Sequence, residues 1–197
     1  VVHPDAGARC EGRQVAGAES TWEEIENRTF AGKTGAYRIS RLEEILKGLC
    51  GRTLINEEVK PPGAGRHEEA ARVVSGALDA VRPRESVLAS SFDPEMLGAL
   101  RSGDASLLLG FLFSARRDLN HLEEMEIVES LAALHPRHDL VDRKLMKRAG
   151  ERGLAVHTWT VDEPREVRRL VSLGVTSVIT NRPDRCADAL FSDPSPA

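Results

Sequence analysis

Glu58 and Lys60 are the two residues of this sequence whose types and spacing most directly suggest chemistry. They lie in the segment TLINEEVKPPGAG (53–65), where charge interrupts an apolar run just before two prolines. In a strand, alternate side chains face opposite sides, so Glu58 and Lys60 share one face while Glu57 and Val59 share the other. The pair is either a solvated ion pair on an edge strand, which contributes little, or part of a binding site. The segment alone leaves both interpretations open.

Polar and aromatic residues also stand at the ends of other apolar, strand-like runs. They are Ser90, Ser91, His135, Trp159, Asn181 and Arg182. No Gly-x-Ser-x-Gly elbow surrounds either serine, so the sequence does not support a serine nucleophile. Packing is the favoured role for His135, with substrate contact as the alternative, whereas Trp159 fits both a core position and a pocket wall. If the strands run parallel, these residues should gather with Glu58 and Lys60 at one end of the sheet.

From residue 53 onward, strand-like runs alternate with helical patterns. The six strand segments are TLINEEV, SVLASSF, SLLLGFLF, SLAALHP, LAVHTWTV and TSVITNRPD. The spacing of apolar residues predicts a helix over 66–81 and a short helix near 122–128. Six strand–helix units in strict alternation indicate a parallel α/β architecture.

Start and stop signals mark several of the helices. Asp93 and Asp162 each come shortly before a proline, so both are predicted N-caps. Gly174 is a predicted stop signal. In the first 52 residues, STWEEIE and SRLEEIL each begin with Ser-x-x-Glu, the pattern of a capping box. The stretch 11–19 is predicted to be a loop.

Two parallel folds fit this alternation, an open doubly wound sheet and a (β/α)8 barrel. A nucleotide-binding doubly wound sheet would carry a Gly-x-Gly-x-x-Gly loop after an early strand, and this sequence contains none. A barrel has its active site at the C-terminal ends of its strands, which is where the unusual residues fall. Because a whole barrel typically needs about 250 residues, we expect an incomplete TIM-type barrel with about six of the eight βα units.

The composition excludes several classes of protein. The chain has 197 residues, of which 41% are hydrophobic and 29% charged, as in an ordinary globular domain. A net charge of −4 without a long basic run argues against a nucleic-acid partner, and no apolar run approaches the roughly 20 residues of a transmembrane span. The widely spaced Cys10, Cys50 and Cys186 indicate neither a disulfide framework nor a zinc site, and favour a reducing compartment such as the cytoplasm. The sequence does not determine the targeting or the oligomeric state.

Several segments, in the same order, resemble the glycerophosphodiester phosphodiesterases. The most specific are INEEVKPPG, which resembles the family's Asn-Ile-Glu-Ile-Lys segment, and GLAVHTWTVDEPREVRRLVSLGVTSVITNRPD, which is similar to its two closing strands. VLASSFDPEML, SLAALHPRH, RISRLEEIL and the opening VVHPD resemble further family segments. The resemblance covers nearly the whole chain.

The resemblance implies a barrel in which a divalent cation, Mg²⁺ or Ca²⁺, helps to hydrolyse glycerophosphodiesters to glycerol 3-phosphate and an alcohol. By position, Glu58 matches a metal-binding carboxylate and Lys60 a cation that holds the phosphate. Trp159 matches an aromatic that lines the pocket, and His3 a histidine that protonates the leaving alcohol. The residue types suit these roles, because a metal and a lysine neutralise phosphate charge and a histidine donates protons near neutral pH.

The sequence also departs from the family pattern. The family's His-Arg-Gly and Glu-x-Asp strands, which contribute another catalytic histidine, an arginine and further metal ligands, have no counterpart here. We therefore expect the six units to be the third to eighth of a barrel. The family's His-Asp has become His3-Pro4-Asp5, and the apolar residue before the metal-binding glutamate has become Glu57.

The expected organisation is a single partial-barrel domain over 1–197. It has a return arm and capping helices in 1–52, six βα units in 53–191 and a tail in 192–197. Two functions are compatible with it. The first is metal-dependent glycerophosphodiester hydrolysis by the parent protein, with this chain alone inactive. The second is a catalytically dead domain that binds phosphate esters or serves as a structural or interaction module.

Overall fold

The structure is a computed structural model of the chain. It describes residues 7–10, 13–16, 20–32, 35–49, 51–79, 84–123 and 126–191. His3 and the predicted tail at 192–197 lie outside these ranges, so their predicted roles stay predictions.

Two small antiparallel hairpins and two helices precede the main sheet. Their elements are β1 (Gly7–Cys10), β2 (Arg13–Ala16), α1 (Trp22–Ile25), β3 (Phe30–Gly32), β4 (Gly35–Tyr37) and α2 (Leu42–Leu49). β1 pairs with β2, and β3 pairs with β4. The prediction of a loop over 11–19 is wrong for Arg13–Ala16, because pairing with β1 provides this stretch with a hydrogen-bonded partner that its own sequence does not indicate. Ile25, Phe30 and Ile39 form a small separate core here.

The alternating part of the chain forms one six-stranded parallel sheet. Its strands are β5 (Ile55–Glu58), β6 (Val87–Ser91), β7 (Leu108–Phe113), β8 (Ala133–Pro136), β9 (Ala155–Thr158) and β10 (Ser177–Val178). They pair in chain order from β5 to β10, and every pairing is parallel. Sequential parallel pairing is the arrangement of barrel strands, so the predicted fold class, an incomplete TIM-type barrel, is confirmed.

A helix follows each of these strands. The helices are α3 (His67–Leu78), α4 (Pro94–Gly103), α5 (Arg116–Glu123), α6 (Arg143–Glu151), α7 (Pro164–Ser172) and α8 (Pro183–Phe191). The short helix predicted near 122–128 begins earlier, at Arg116. The Asp118 carboxylate accepts hydrogen bonds from the N–H groups of Ser114 and Ala115, which closes the first turn of α5. None of the helices in the described ranges combines the length and the apolar character that a membrane span requires.

The capping predictions are correct at Asp93 and wrong at Asp162. The Asp93 carboxylate accepts a hydrogen bond from the backbone N–H of Glu95, 3.0 Å away, at the start of α4. At α7 the N-cap position is Glu163, whose side chain makes no capping bond. Asp162 instead binds residues that follow β10. In the N-terminal region the pattern STWEEIE predicts that Glu23 accepts a hydrogen bond from the N–H of Ser20. In the structure the contact lies one residue later, because the N–H of Thr21 donates to the carboxylate of Glu24.

The main core lies between the sheet and its helices. Alternate residues of the central strands are fully buried in it, such as Val87 and Ala89 of β6 and Leu109 of β7. Met96 and Leu97 of α4 pack in the same cluster. Burying each such large aliphatic side chain stabilises the fold by about 1.5–3 kcal/mol, so this layer holds the C-terminal ends of the strands in place.

Candidate functional site

The C-terminal ends of the six strands form one edge of the sheet, because all six run in the same direction. Glu58 and Ser91 are the last residues of β5 and β6. His135 lies at the end of β8, and Trp159 directly follows β9. The fold therefore places these predicted residues at the same end, as the sequence indicated.

Glu58 and Lys60 form an ion pair, with 2.5 Å between Lys60 Nζ and Glu58 Oε1. The side chains are 34% and 48% exposed, respectively. The backbone beside them is fixed to β6, because the N–H of Val59 donates to the carbonyl of Ser90 and the hydroxyl of Ser91 donates to the carbonyl of Val59. An exposed pair of this kind adds little stability, and both side chains are partly accessible to solvent.

The other row of β5 faces the core, as the alternation predicts. Val59 is buried in the main cluster, and Ile55 packs against that cluster. Glu57 lies between them and is half-buried. Burial raises the pKa of the Glu57 carboxyl above its ordinary value. Glu57 is therefore a charged residue in an apolar row, on the side opposite Glu58.

Trp159 is fixed by one hydrogen bond and one ring contact. Its indole N–H donates to the backbone carbonyl of His135 over 2.8 Å. Its ring also meets the ring of Phe92 nearly perpendicularly. Phe92 follows β6 and is 40% exposed. Phe92 is a residue of this region that was not among the predicted site residues, although its position as an aromatic directly after a strand end could have indicated it.

His135 is a packing residue. It is fully buried, and neither ring nitrogen has a hydrogen-bond partner within the part of the chain that the structure describes. Its ring lies 4.9 Å from the ring of His157 and close above Gly110. Burial, with a smaller contribution from His157, lowers the pKa of His135 to about 3. The ring is therefore neutral at physiological pH.

The polar sequence contexts of His67, His121 and His138 predict solvated side chains, but His67 and His138 have carboxylate partners in the structure. His67 Nε2 lies 2.8 Å from Asp93 Oδ2, which links the start of α3 to the start of α4. His138 Nδ1 lies 3.0 Å from Glu166 Oε1. The prediction was wrong because both partners are distant in sequence. For His121, which was also predicted to be solvated, the side chain lies outside the described part.

The donor atoms near Glu58 do not by themselves form a metal site. In the described ranges, no three histidine, cysteine, aspartate or glutamate side chains come together as metal ligands. Mg²⁺ and Ca²⁺ take about six to eight oxygen ligands. The described side chains therefore offer such a cation the Glu58 carboxylate and not a complete set of ligands.

Comparison with known proteins gives a consistent result. The model of the Glycerophosphoryl diester phosphodiesterase family matches residues 1–185. A glycerophosphodiester phosphodiesterase of Caldanaerobacter subterraneus subsp. tengcongensis is 24% identical over 189 residues, which are 93% of this chain and 76% of that protein.

Solved structures show the same fold. An Oleispira antarctica phosphodiesterase in complex with the product sn-glycerol-3-phosphate has a TM-score of 0.75 at 19% identity, covering 96% of this chain and 78% of that one. A glycerophosphodiester phosphodiesterase from Parabacteroides distasonis has a TM-score of 0.73 at 18% identity, covering 92% of this chain and 74% of that one. With the family match over residues 1–185, the chain belongs to the glycerophosphoryl diester phosphodiesterase family.

Proposed function

We propose that this chain forms the substrate-binding end of an enzyme that hydrolyses glycerophosphodiesters to glycerol 3-phosphate and an alcohol. The observation that carries the proposal is the Glu58–Lys60 pair at the C-terminal end of β5. A carboxylate and an ammonium group in direct contact, at the edge where barrel enzymes bind their substrates, suit a site for a cation and a phosphate anion. Family membership supports the same reaction.

In this proposal each predicted site residue has one role. Lys60 holds the phosphate as a point charge, and Glu58 contributes to binding Mg²⁺ or Ca²⁺. Trp159 forms the pocket wall. In the net reaction one water is consumed: its oxygen becomes bonded to phosphorus as the bond between phosphorus and the alcohol oxygen breaks. His3 donates the proton that the alcohol oxygen requires, and the proton that the water loses returns His3 to its starting state by way of solvent.

Among the described side chains, the divalent cation would have the Glu58 carboxylate as a ligand, without two further histidine, cysteine, aspartate or glutamate side chains grouped around it. Phosphate oxygens, water or groups beyond the described residues would have to complete its ligand set around Glu58. For this reason we expect residues 1–197 alone to bind the product but to show no turnover.

Two measurements on purified 1–197 test the proposal. Isothermal titration with sn-glycerol 3-phosphate in the presence of Ca²⁺ should show binding that Lys60→Ala weakens at least tenfold. Lys47→Ala, which removes an exposed lysine on α2, is the matched control and should bind as the unmodified chain does. If the unmodified chain does not bind, the proposed function is wrong. Metal-dependent release of glycerol 3-phosphate from glycerophosphocholine, abolished by Glu58→Ala, would show that the chain is active by itself.

A second candidate function is binding of phosphate esters without hydrolysis, or a structural or interaction role. The small number of metal ligands among the described side chains is the observation that favours it. A full-length protein that binds glycerol 3-phosphate but releases none from glycerophosphodiesters, with any divalent cation, would favour this second function.

A further inference from the structure

A cleft of about 410 Å³ opens between the loops that follow β6 and β7. It is lined by Phe92, Pro94, Phe111, Arg117 and Asp118. Pockets for small molecules typically measure about 300–1,000 Å³ and are mostly apolar with a few polar groups. The cleft therefore has a size and composition suited to part of a ligand.

Phe92 connects this cleft with the candidate site. Its ring lines the cleft and also contacts the indole of Trp159, with 5.4 Å between the ring centroids. The ring is 40% exposed. Phe92 is therefore the residue that the cleft and the Trp159 side of the candidate site have in common.

The apolar part of the cleft offers only carbon surface. Phe92 and Pro94 present rings without hydrogen-bonding atoms, and Phe111, only 2% exposed, forms the floor. Such a surface binds aliphatic groups through the hydrophobic effect, by about 0.8 kcal/mol for each buried methylene, and it offers no hydrogen bonds to hydroxyl groups.

The polar rim carries one charge of each sign. Arg117 Nε lies 3.7 Å from Asp118 Oδ1, and the Arg117 side chain is 90% exposed. The other oxygen of Asp118 accepts hydrogen bonds from the N–H groups of Ser114 and Ala115. Because this carboxylate already has partners and a neighbouring guanidinium, the rim does not attract a cation such as a quaternary ammonium group.

We propose that this cleft receives the leaving alcohol of the phosphodiester, and that this alcohol is uncharged and aliphatic. The inference rests on the proposed function, because Lys60 must hold the phosphate while the alcohol extends along Phe92. Phe92 is the residue that determines specificity for the alcohol, and Arg117 borders the entrance.

The test is the dependence of binding on the length of the alcohol. Isothermal titration of 1–197 with the methyl, butyl and hexyl diesters of glycerol 3-phosphate, in the presence of Ca²⁺, should show affinity increasing with chain length. The expected increase is about fourfold for each methylene that is fully buried. If the chain hydrolyses the diesters, kcat/KM across the series replaces affinity.

Two variants should weaken the dependence of affinity on the chain length of the alcohol, each by a different means. Phe92→Ala removes the apolar wall, and Arg117→Trp closes the cleft from an exposed position where folding is little affected. Phe191→Ala removes an 85% exposed ring at the end of α8 and should keep the full dependence. Thermal unfolding of each variant verifies that it is folded.

The possible outcomes separate this inference from the proposed function. Equal affinity for all chain lengths, or tighter binding of glycerophosphocholine than of the butyl diester, overturns the inference and leaves the proposed function standing. A length dependence that survives in both Phe92→Ala and Arg117→Trp also overturns the inference. If the unmodified chain binds neither the diesters nor glycerol 3-phosphate, the proposed function is overturned, and the inference with it.

Discussion

The ring of Phe92 meets the indole of Trp159 edge to face, with 5.4 Å between the ring centroids and 82° between the planes. Phe92 follows β6 and Trp159 follows β9, so β7 and β8 lie between them in the sheet. Neighbouring strands are about 4.8 Å apart, so these two strands would be about 14 Å apart in a flat sheet. The contact therefore depends on the curl of the sheet, which brings strand ends together as in the wall of a barrel.

Trp159→Phe should destabilise the chain by about 1–3 kcal/mol, because the carbonyl of His135 loses the indole N–H that donates to it. Urea unfolding at neutral pH measures the change. Trp22→Phe is the matched control. Trp22 lies beneath the guanidinium of Arg41, and phenylalanine keeps an aromatic face for that contact. Equal losses in the two variants would contradict a specific role for the indole N–H.

Glu57→Ile should raise the free energy of unfolding at pH 7 by on the order of 1 kcal/mol. Burial raises the pKa of the Glu57 carboxyl above its ordinary value of 4.5, so the folded chain binds this proton more tightly than the unfolded chain does. Above pH 4.5 the ionised Glu57 carboxylate therefore lowers the free energy of unfolding. This loss of stability disappears as the pH falls below 4.5, where the carboxyl is protonated in both the folded and the unfolded chain.

Chemical unfolding at pH 7 and at pH 4 tests the prediction for Glu57→Ile. The gain in the free energy of unfolding should be smaller at pH 4 than at pH 7. Glu129→Ile, at an exposed position, should give no comparable gain. A marked loss of stability in Glu57→Ile would mean that Glu57, rather than Glu58, has a structural or ligand role.

Gly110→Ala should destabilise the chain by about 1–3 kcal/mol through overpacking. A Cβ on Gly110 would lie 2.6 Å from His135 Nε2 and 2.9 Å from a methyl carbon of Leu88. Gly98→Ala in α4 is the control, because nothing lies within 4 Å of its added carbon, and alanine favours a helix over glycine. In a His135→Ala background the Gly110→Ala loss should shrink, and an unchanged loss would exclude the ring as its cause.

Stability should decrease as the pH falls from 6.5 toward 3, in part because of His135. Its pKa is about 3 in the folded chain, against an ordinary 6.5, so the unfolded chain binds a proton in this window that the folded chain does not. The contribution is up to about 1.4 kcal/mol per pH unit. His135→Leu should flatten the dependence measured by urea unfolding between pH 7.5 and pH 5. Identical slopes for the two proteins would contradict the buried neutral ring.

Asp162→Ala should loosen the segment that follows β10. Asp162 Oδ1 accepts hydrogen bonds from the hydroxyl of Thr180 and the N–H of Asn181, and Oδ2 accepts from the Asn181 side chain. We expect the amide of Asn181 to exchange its hydrogen at least tenfold faster in the variant. Asp188→Ala, which removes an exposed carboxylate on α8, should leave that rate unchanged.

The same hydrogen bonds should make the protection of the Asn181 amide against exchange depend on pH. Its hydrogen bonds, above all that from the N–H of Asn181, hold the pKa of Asp162 below its ordinary value of 3.8. The protection of Asn181 should therefore be complete above pH 3.8 and decline as the pH falls through the lowered pKa. Protection that stays constant to pH 2 would show that the carboxylate charge is not involved.

The sequence by itself determined the order and type of the main elements and the face of β5 that carries charge. Apolar periodicity separates strands from helices through the geometry of neighbouring residues, and it predicted all six parallel strands. The same local geometry placed Glu58 and Lys60 together and Glu57 opposite them. Asp93 was predictable as a cap because its partner, Glu95, is two residues away.

Only the tertiary structure decided which distant residues meet. The Phe92–Trp159 contact, the His67–Asp93 pair and the binding of Asp162 to Asn181 each join different βα units. No local pattern encodes them, because they depend on how far the sheet curls and where packed helices place the loops. The burial of His135 arises in the same way, since its neutral state follows from the packing around Gly110 and His157.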